Sequence, residues 1–261
     1  MTEKAVCIIV KIIMKIEQAL VAVGGKASRL QNPDNYRPMA KSFLEVEGAP
    51  LLRWCLESLC LAGIKSVVLA GDREEYLDSA ERVVSTLSCR FDETRFFQDE
   101  GLGVHGLPYH TKHLFSDGFF FECGHAISKP AHYQAMDAVK NEDGVVFSAF
   151  RSHPSNNRQA VQLDGTRVAL KGEDRTGVAL AHPMLVDQAY AEQLPSLGFN
   201  INSIIEHYAE TGQLQYAWNN MPPEFDTPEE LLAAQVPYSD YCRILGSQAL
   251  YHSHEYLWIM P

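Results

Sequence analysis

The sequence is short of positive charge: 22 lysines and arginines stand against 33 aspartates and glutamates, a formal charge of −11 at pH 7. Basic surface is what displaces counterions from a phosphate backbone, so this balance excludes a nucleic-acid scaffold and leaves room only for a local cationic pocket. Long apolar runs are missing as well. The most hydrophobic stretch, "AVCIIVKIIMKIEQALVAV", is broken by Lys11, Lys15 and Glu17, too often for a membrane span, and no small-residue cleavage site follows it. No membrane partner and no secretion signal are therefore expected, and Met14 offers an alternative start. Cysteine is sparse and unpatterned. The six residues Cys7, Cys55, Cys60, Cys89, Cys123 and Cys242 show no CxxC spacing, which excludes a disulfide frame or a zinc knuckle and predicts reduced thiols in a cytoplasmic protein. Internal repeats and low-complexity linkers are absent too.

What remains is ordinary globular material. Hydrophobic residues make up 46% and charged residues 21% of 261 positions, enough to bury one large core. We divide the chain into an extension (1–15), one domain (16–235) and a tail (236–261) that packs on the core or on a partner, which makes a homodimer an open expectation. Within the domain, strands and helices alternate. A buried strand is predicted over Gln18–Val23, a helix from Pro50 to Ala62 and a strand in "SVVLAG". A helix follows over Glu74–Leu87, then strands in "GFFFECG" and "GVVFSAF" with the helical "PAHYQAMDAVKNE" between them. This rhythm indicates a Rossmann-like α/β/α sandwich of three layers around a mostly parallel sheet with right-handed connections. Beyond Arg151, "VQLDGTRVAL" reads as a hairpin. Helices are predicted near Val186–Leu194 and Ile201–Gly212, a strand in "QLQYAW", and a capped helix in "DTPEELLAAQ".

The chemistry concentrates in "VAVGGKASRL". A glycine turn that leaves a strand and opens a helix exposes backbone N–H groups to an anion, and Lys26 and Arg29 would add charge-assisted hydrogen bonds to phosphate. No G-K-[ST] closes the turn, so it is not a P-loop, and the G-x-G-x-x-G of dinucleotide folds is absent. A tight turn with two surface cations is the plain alternative.

Four segments together resemble the nucleotidyltransferase family with a GT-A-like fold, the sugar-1-phosphate nucleotidyltransferases and their relatives. "GGKASRL" is similar to that family's G-G-x-G-T-R-L loop, and "AKSFLEVEGAPLL" to its lysine followed by L-x-x-V-x-G-x-P-L-L. "EGLGVHGLPYHTK" resembles its L-G-T-x-G loop, and "MPPEFDTPEELLAA" its closing D-T-P-E-D-L. The resemblance implies transfer of a nucleoside monophosphate from a nucleoside triphosphate to a small phosphorylated acceptor, a sugar 1-phosphate foremost, with release of pyrophosphate. It implies that Val23, Gly24, Gly25, Lys26, Ala27, Ser28 and Arg29 hold the triphosphate, with Gly103 and Gly106 near the base. Lys41 would neutralise the acceptor and α-phosphates, and Asp226 would bind a divalent metal, Mg²⁺ or Mn²⁺. Arg29, Lys41 and Asp226 are thus the expected catalytic set.

One position departs from the pattern. Relatives place a metal-binding aspartate directly after the strand that "FFFEC" forms here, and this chain has Gly124-His125. Imidazole is a poor ligand for Mg²⁺ and a better one for Mn²⁺ or another transition metal. Three readings stay open: His125 and Asp226 share a softer ion, Glu122 or another carboxylate steps in, or catalysis is lost. In the last case the chain is a regulatory homologue that binds nucleotide or sugar nucleotide. A glycosyltransferase of the same general fold lacks support, because no D-x-D motif follows a central strand. His105, His110 and His113 fall near the expected base loop, as pocket lining or surface.

Overall fold

The computed structural model describes residues 14–24, 40–99, 101, 103–141, 144–151, 160–164, 167–170, 178–222 and 228–257. Gly25, Lys26, Ala27, Ser28, Arg29 and Asp226 lie outside the described residues.

Strand β1 (Gln18–Ala22) is the middle of the parallel half of the sheet. It pairs in parallel with β4 (Ser66–Gly71), from Gln18 opposite Ser66 to Ala22 opposite Ala70. On its other side it pairs with β6 (Phe119–Cys123), where Ala22 meets Cys123. β5 (Glu93–Gln98) continues the ladder beyond β4 and closes that edge. On the far side lie β7 (Val145–Arg151), β10 (Val178–Val186) and β11 (Leu214–Trp218), giving the order β11-β7-β10-β6-β1-β4-β5. Along that path only β10 runs against the rest. The hairpin of β8 (Ala160–Asp164) and β9 (Arg167–Leu170) is attached to the first residues of β10. A small ribbon, β2 (Glu45–Val46) with β3 (Ala49–Pro50), stands apart.

Side-chain alternation sorts the strands into two packed faces. Ala19, Val21, Val67, Leu69 and Phe120 point to one face and meet α1 (Leu51–Ala62), α2 (Glu74–Ser85) and α4 (Pro130–Val139). Leu20, Ala22, Val68, Phe119 and Phe121 point to the other and meet α5 (Gln188–Gln193) and α6 (Ile201–Glu210). Each fully buried phenylalanine contributes about 2–3 kcal/mol of transfer free energy. The short α3 (Leu107–Thr111) follows the glycine loop after β5.

The "DTPEELL" helix is much longer than its sequence signal. It forms α7, Pro228–Leu257, with Pro237 inside it. Tyr238, Tyr241, Cys242 and Leu245 bury against Leu51 and Trp54 of α1 and Val46 of β2, and Tyr241 Oη lies 2.9 Å from Ser58 Oγ of α1. Four strands were missing from the sequence reading: β5, β10 and the two short strands β2 and β3. The helix expected from Val186 starts at Gln188, because Val186 still belongs to β10.

Candidate functional site at the carboxyl edge of the sheet

In an open α/β sheet a ligand crevice forms at the carboxyl ends of the strands, where the connections depart in opposite directions from neighbouring strands. Here that point lies between β1 and β6. The chain leaves β1 at Val23-Gly24 and β6 at Gly124-His125, and the two exits are tied by Gly124 N–H donating to the Ala22 carbonyl at 2.8 Å.

Beside this point a cavity of about 170 Å³ opens over the ends of β1, β4 and β5, lined by Gly24, Gly71, Asp72, Asp99, Gly103 and Leu107 among others. That is below the ~300–1,000 Å³ of a pocket for a drug-sized ligand, and suits a base more than a whole nucleotide. Gly24 is required by a close approach: a Cβ there would stand 2.6 Å from Asp72 Oδ1 and 3.2 Å from the Asp72 backbone nitrogen. Gly103 is required by conformation, with φ at 76°. Asp99, buried at the end of β5, is held by His110, whose Nδ1 lies 3.0 Å from its Oδ1. Gly106 begins no cavity wall itself but is buried at the end of the 3₁₀ turn that positions Leu107.

Lys41 comes from another segment of the chain. It opens a short 3₁₀ turn, Lys41–Phe43, packed beside α1, and is half-buried. Its neighbour Ser42 is fully buried, and Ser42 Oγ lies 3.0 Å from the point where a Cβ of Gly124 would stand, as do the Ala22 carbonyl and Leu52 Cδ1. The turn is thus wedged against the exits of both β1 and β6. Among the described residues Ser42 Oγ has no hydrogen-bond partner.

A second cavity, of about 630 Å³, lies farther along the same edge, at the ends of β7 and β11. Phe150, Trp218, Asn219, Asn220, Met221, Pro222 and Pro237 line it. The Trp218 ring is half exposed, at 49%. Its floor is pinned by His132 of α4, whose Nδ1 lies 3.1 Å from the Trp218 carbonyl and Nε2 2.7 Å from Ser148 Oγ of β7. Burial holds the His132 imidazole neutral, its pKa lowered to about 4, with the Trp218 carbonyl pulling weakly the other way.

Among the described residues no group of three His, Cys, Asp or Glu side chains is arranged to hold an ion. Glu122 is fully buried, its Oε2 accepts from Tyr133 Oη at 2.9 Å and its Oε1 from Cys123 N–H at 2.9 Å. The same carboxylate helps burial push the Tyr133 hydroxyl far above its ordinary range. His125 stands half-buried at the exit of β6, where the sequence placed it.

Of the expected site residues, then, the fold brings Val23, Gly24, Lys41, Gly103, Gly106 and His125 to one edge of the sheet. Asp72, Asp99 and Trp218 were not anticipated. Each is the last residue of a strand or the first beyond it, a position that the crevice rule marks once the strands are known. Of the three expected histidines, His110 joins the cavity through Asp99. His105 instead stacks on His182 of β10, ring centres 5.6 Å apart, and His113 packs on Phe97.

No family model and no curated protein sequence match this chain. Solved structures do. An inositol-1-phosphate CTP transferase from T. maritima superposes with a TM-score of 0.68 at 17% identity, over 86% of this chain and 96% of its own. A Bacillus anthracis protein assigned as a glucose-1-phosphate thymidylyltransferase gives 0.69 at 17% identity, over 85% and 96%. HddC from Yersinia pseudotuberculosis gives 0.64 at 14% identity, over 85% and 100%. The chain has the nucleotidyltransferase fold. No helix among the described residues is long and apolar enough to cross a membrane.

Proposed function

We propose that this protein is a nucleotidyltransferase that joins a nucleoside monophosphate, taken from a nucleoside triphosphate, to a small phosphorylated acceptor of the sugar 1-phosphate class. The observation that carries this reading is the pair of cavities on one sheet edge, with the Lys41–Phe43 turn packed through Ser42 against the strand exits that separate them. The base and ribose occupy the cavity over β1, β4 and β5. The acceptor's polyol body occupies the larger one, against the Trp218 ring and the Asn219 and Asn220 amides.

A phosphate oxygen of the acceptor attacks the α-phosphorus, the bond from that phosphorus to the bridging oxygen breaks, and pyrophosphate departs with the electron pair. Both reactants are anions, so the site must place positive charge and N–H donors where they meet. Lys41 supplies that charge at the junction of the cavities. The glycine turn from Gly24 through Ser28, with Lys26 and Arg29, holds the departing phosphates. A divalent ion would be held by His125 and Asp226 together with substrate phosphate oxygens, and would supply further charge neutralisation. With an imidazole in the donor set, Mn²⁺ fits better than Mg²⁺.

The test is pyrophosphate release from each of the four common triphosphates with a panel of sugar 1-phosphates, in Mg²⁺ and in Mn²⁺. Turnover with one pairing, faster in Mn²⁺, is expected. His125→Asp should shift the preference toward Mg²⁺. A second reading rests on His125 alone: a homologue that binds nucleotide without turning it over. Nucleotide-dependent thermal stabilisation with no pyrophosphate under any pairing would favour it. Absence of both binding and turnover would refute the two readings together.

A further inference from the structure

The end of α1 that points away from the crevice carries an arrangement the transfer reaction does not use. Glu57 and Cys60, on adjacent turns of α1, both reach the loop between α2 and β5. Glu57 Oε1 accepts from Ser88 N–H at 3.3 Å, and Cys60 Sγ donates to the Arg90 carbonyl at 3.8 Å. These two contacts flank Cys89 in sequence and pin it over α1, close enough to Cys60 for each thiol to perturb the other's ionisation. The anchor is firm: the Glu57 side chain is 2% exposed and is gripped by Arg53 Nε at 3.1 Å. Cys55, Cys123 and Cys242 are buried, whereas Cys60 and Cys89 are only half-buried, so a small reagent can reach this pair.

We propose that Cys60 and Cys89 are a redox-active dithiol that closes to an intramolecular disulfide when a low-molecular-weight disulfide supplies the oxidising equivalents. The Cys60 thiolate attacks one sulfur of the reagent, forming a mixed disulfide and releasing one small thiol. Cys89, after losing its proton to solvent, attacks Cys60 Sγ and displaces the second small thiol. Two protein thiols are oxidised and one reagent disulfide is reduced to two thiols. The order of attack follows from their proximity: interaction with Cys89 lowers the Cys60 pKa, against burial and the Glu57 carboxylate, and raises that of Cys89.

The pair sits where α1 hands over to β4 and where β5 begins, at the amino ends of strands whose carboxyl ends line the cavity. Closure therefore fastens the fold without entering the crevice, and ligand response should survive it.

The full-length chain treated with oxidised glutathione, alkylated and mapped by peptide mass spectrometry tests this. The expected product is a Cys60–Cys89 cross-linked peptide with no glutathione retained and a Tm raised by roughly 5–10 °C, reversed by dithiothreitol. Cys89→Ser should keep one glutathione on Cys60, Cys60→Ser should leave Cys89 unreacted, and neither should gain Tm. Alkylation of both thiols after oxidation, retention of glutathione on Cys60 in the wild-type chain, or a bond from Cys60 to any other cysteine would overturn the proposal.

Discussion

Gly24 and Asp72 show how tightly single residues set this site. With Asp72 Oδ1 only 2.6 Å from where a Cβ would stand, Gly24→Ala should destabilise the fold by about 1–3 kcal/mol and reduce nucleotide-induced thermal stabilisation. Asp72→Ala in the same chain should restore part of the stability, since the backbone contact at 3.2 Å persists. Thermal melts of the single and double variants decide this. Lys41→Ala should lower pyrophosphate release on the order of 10²–10³-fold while the chain still melts cooperatively as a folded protein. His132 gives a pH signature. The unfolded histidine titrates near 6.5 and the folded one near 4, so the unfolded chain binds the extra proton between those values. Stability should therefore be full above about pH 6.5 and fall as the pH drops toward 4, by about 3 kcal/mol. Urea midpoints at pH 7 and 4.5 should show this fall and a flatter one in His132→Asn. Gly24 and Lys41 were legible in the sequence because their motifs are contiguous. Asp72 and Asp99 were not, because they become neighbours only through the β1–β4–β5 ladder.

At the scale of the element, legibility followed burial. β1, β4, β6 and β7 read as strands because both faces are covered and their runs are continuously apolar. β5 did not, since as the edge strand it has no fully buried position and mixes exposed with half-buried residues in "ETRFFQ". β10 was hidden by Pro183, which reads as a strand breaker; in the fold that proline falls where the ladder to β7 slips between Ala181 and Met184. The length of α7 was hidden for a related reason, Pro237 interrupting its middle. The stretch from Tyr238 to Leu245 of that helix is structural. Tyr241→Phe removes its buried bond to Ser58 and should cost about 1 kcal/mol. A chain ending at residue 235 would uncover Leu51 and Trp54, and should melt far lower or fail to accumulate as folded protein, measurable by circular dichroism on heating.

For the whole molecule, the decisive arrangement is that both cavities face one way. Five of the strands that feed them, β1, β4, β5, β7 and β11, run in the same direction, so their ends share an edge. Two ligands held there should stabilise separately and then jointly: a triphosphate alone and an acceptor alone should each raise Tm, and Trp218→Ala should weaken the acceptor's effect while sparing the nucleotide's. β10 enters the sheet from this same edge because it runs backwards, its first residue Val178 facing Arg151 at the end of β7. The β8–β9 hairpin hangs from that entry point, through Val161 and Ala160. Its second strand also packs on α6 and β11, so the hairpin braces the corner where β10 enters, and a chain without it would leave that corner of the sheet open to water.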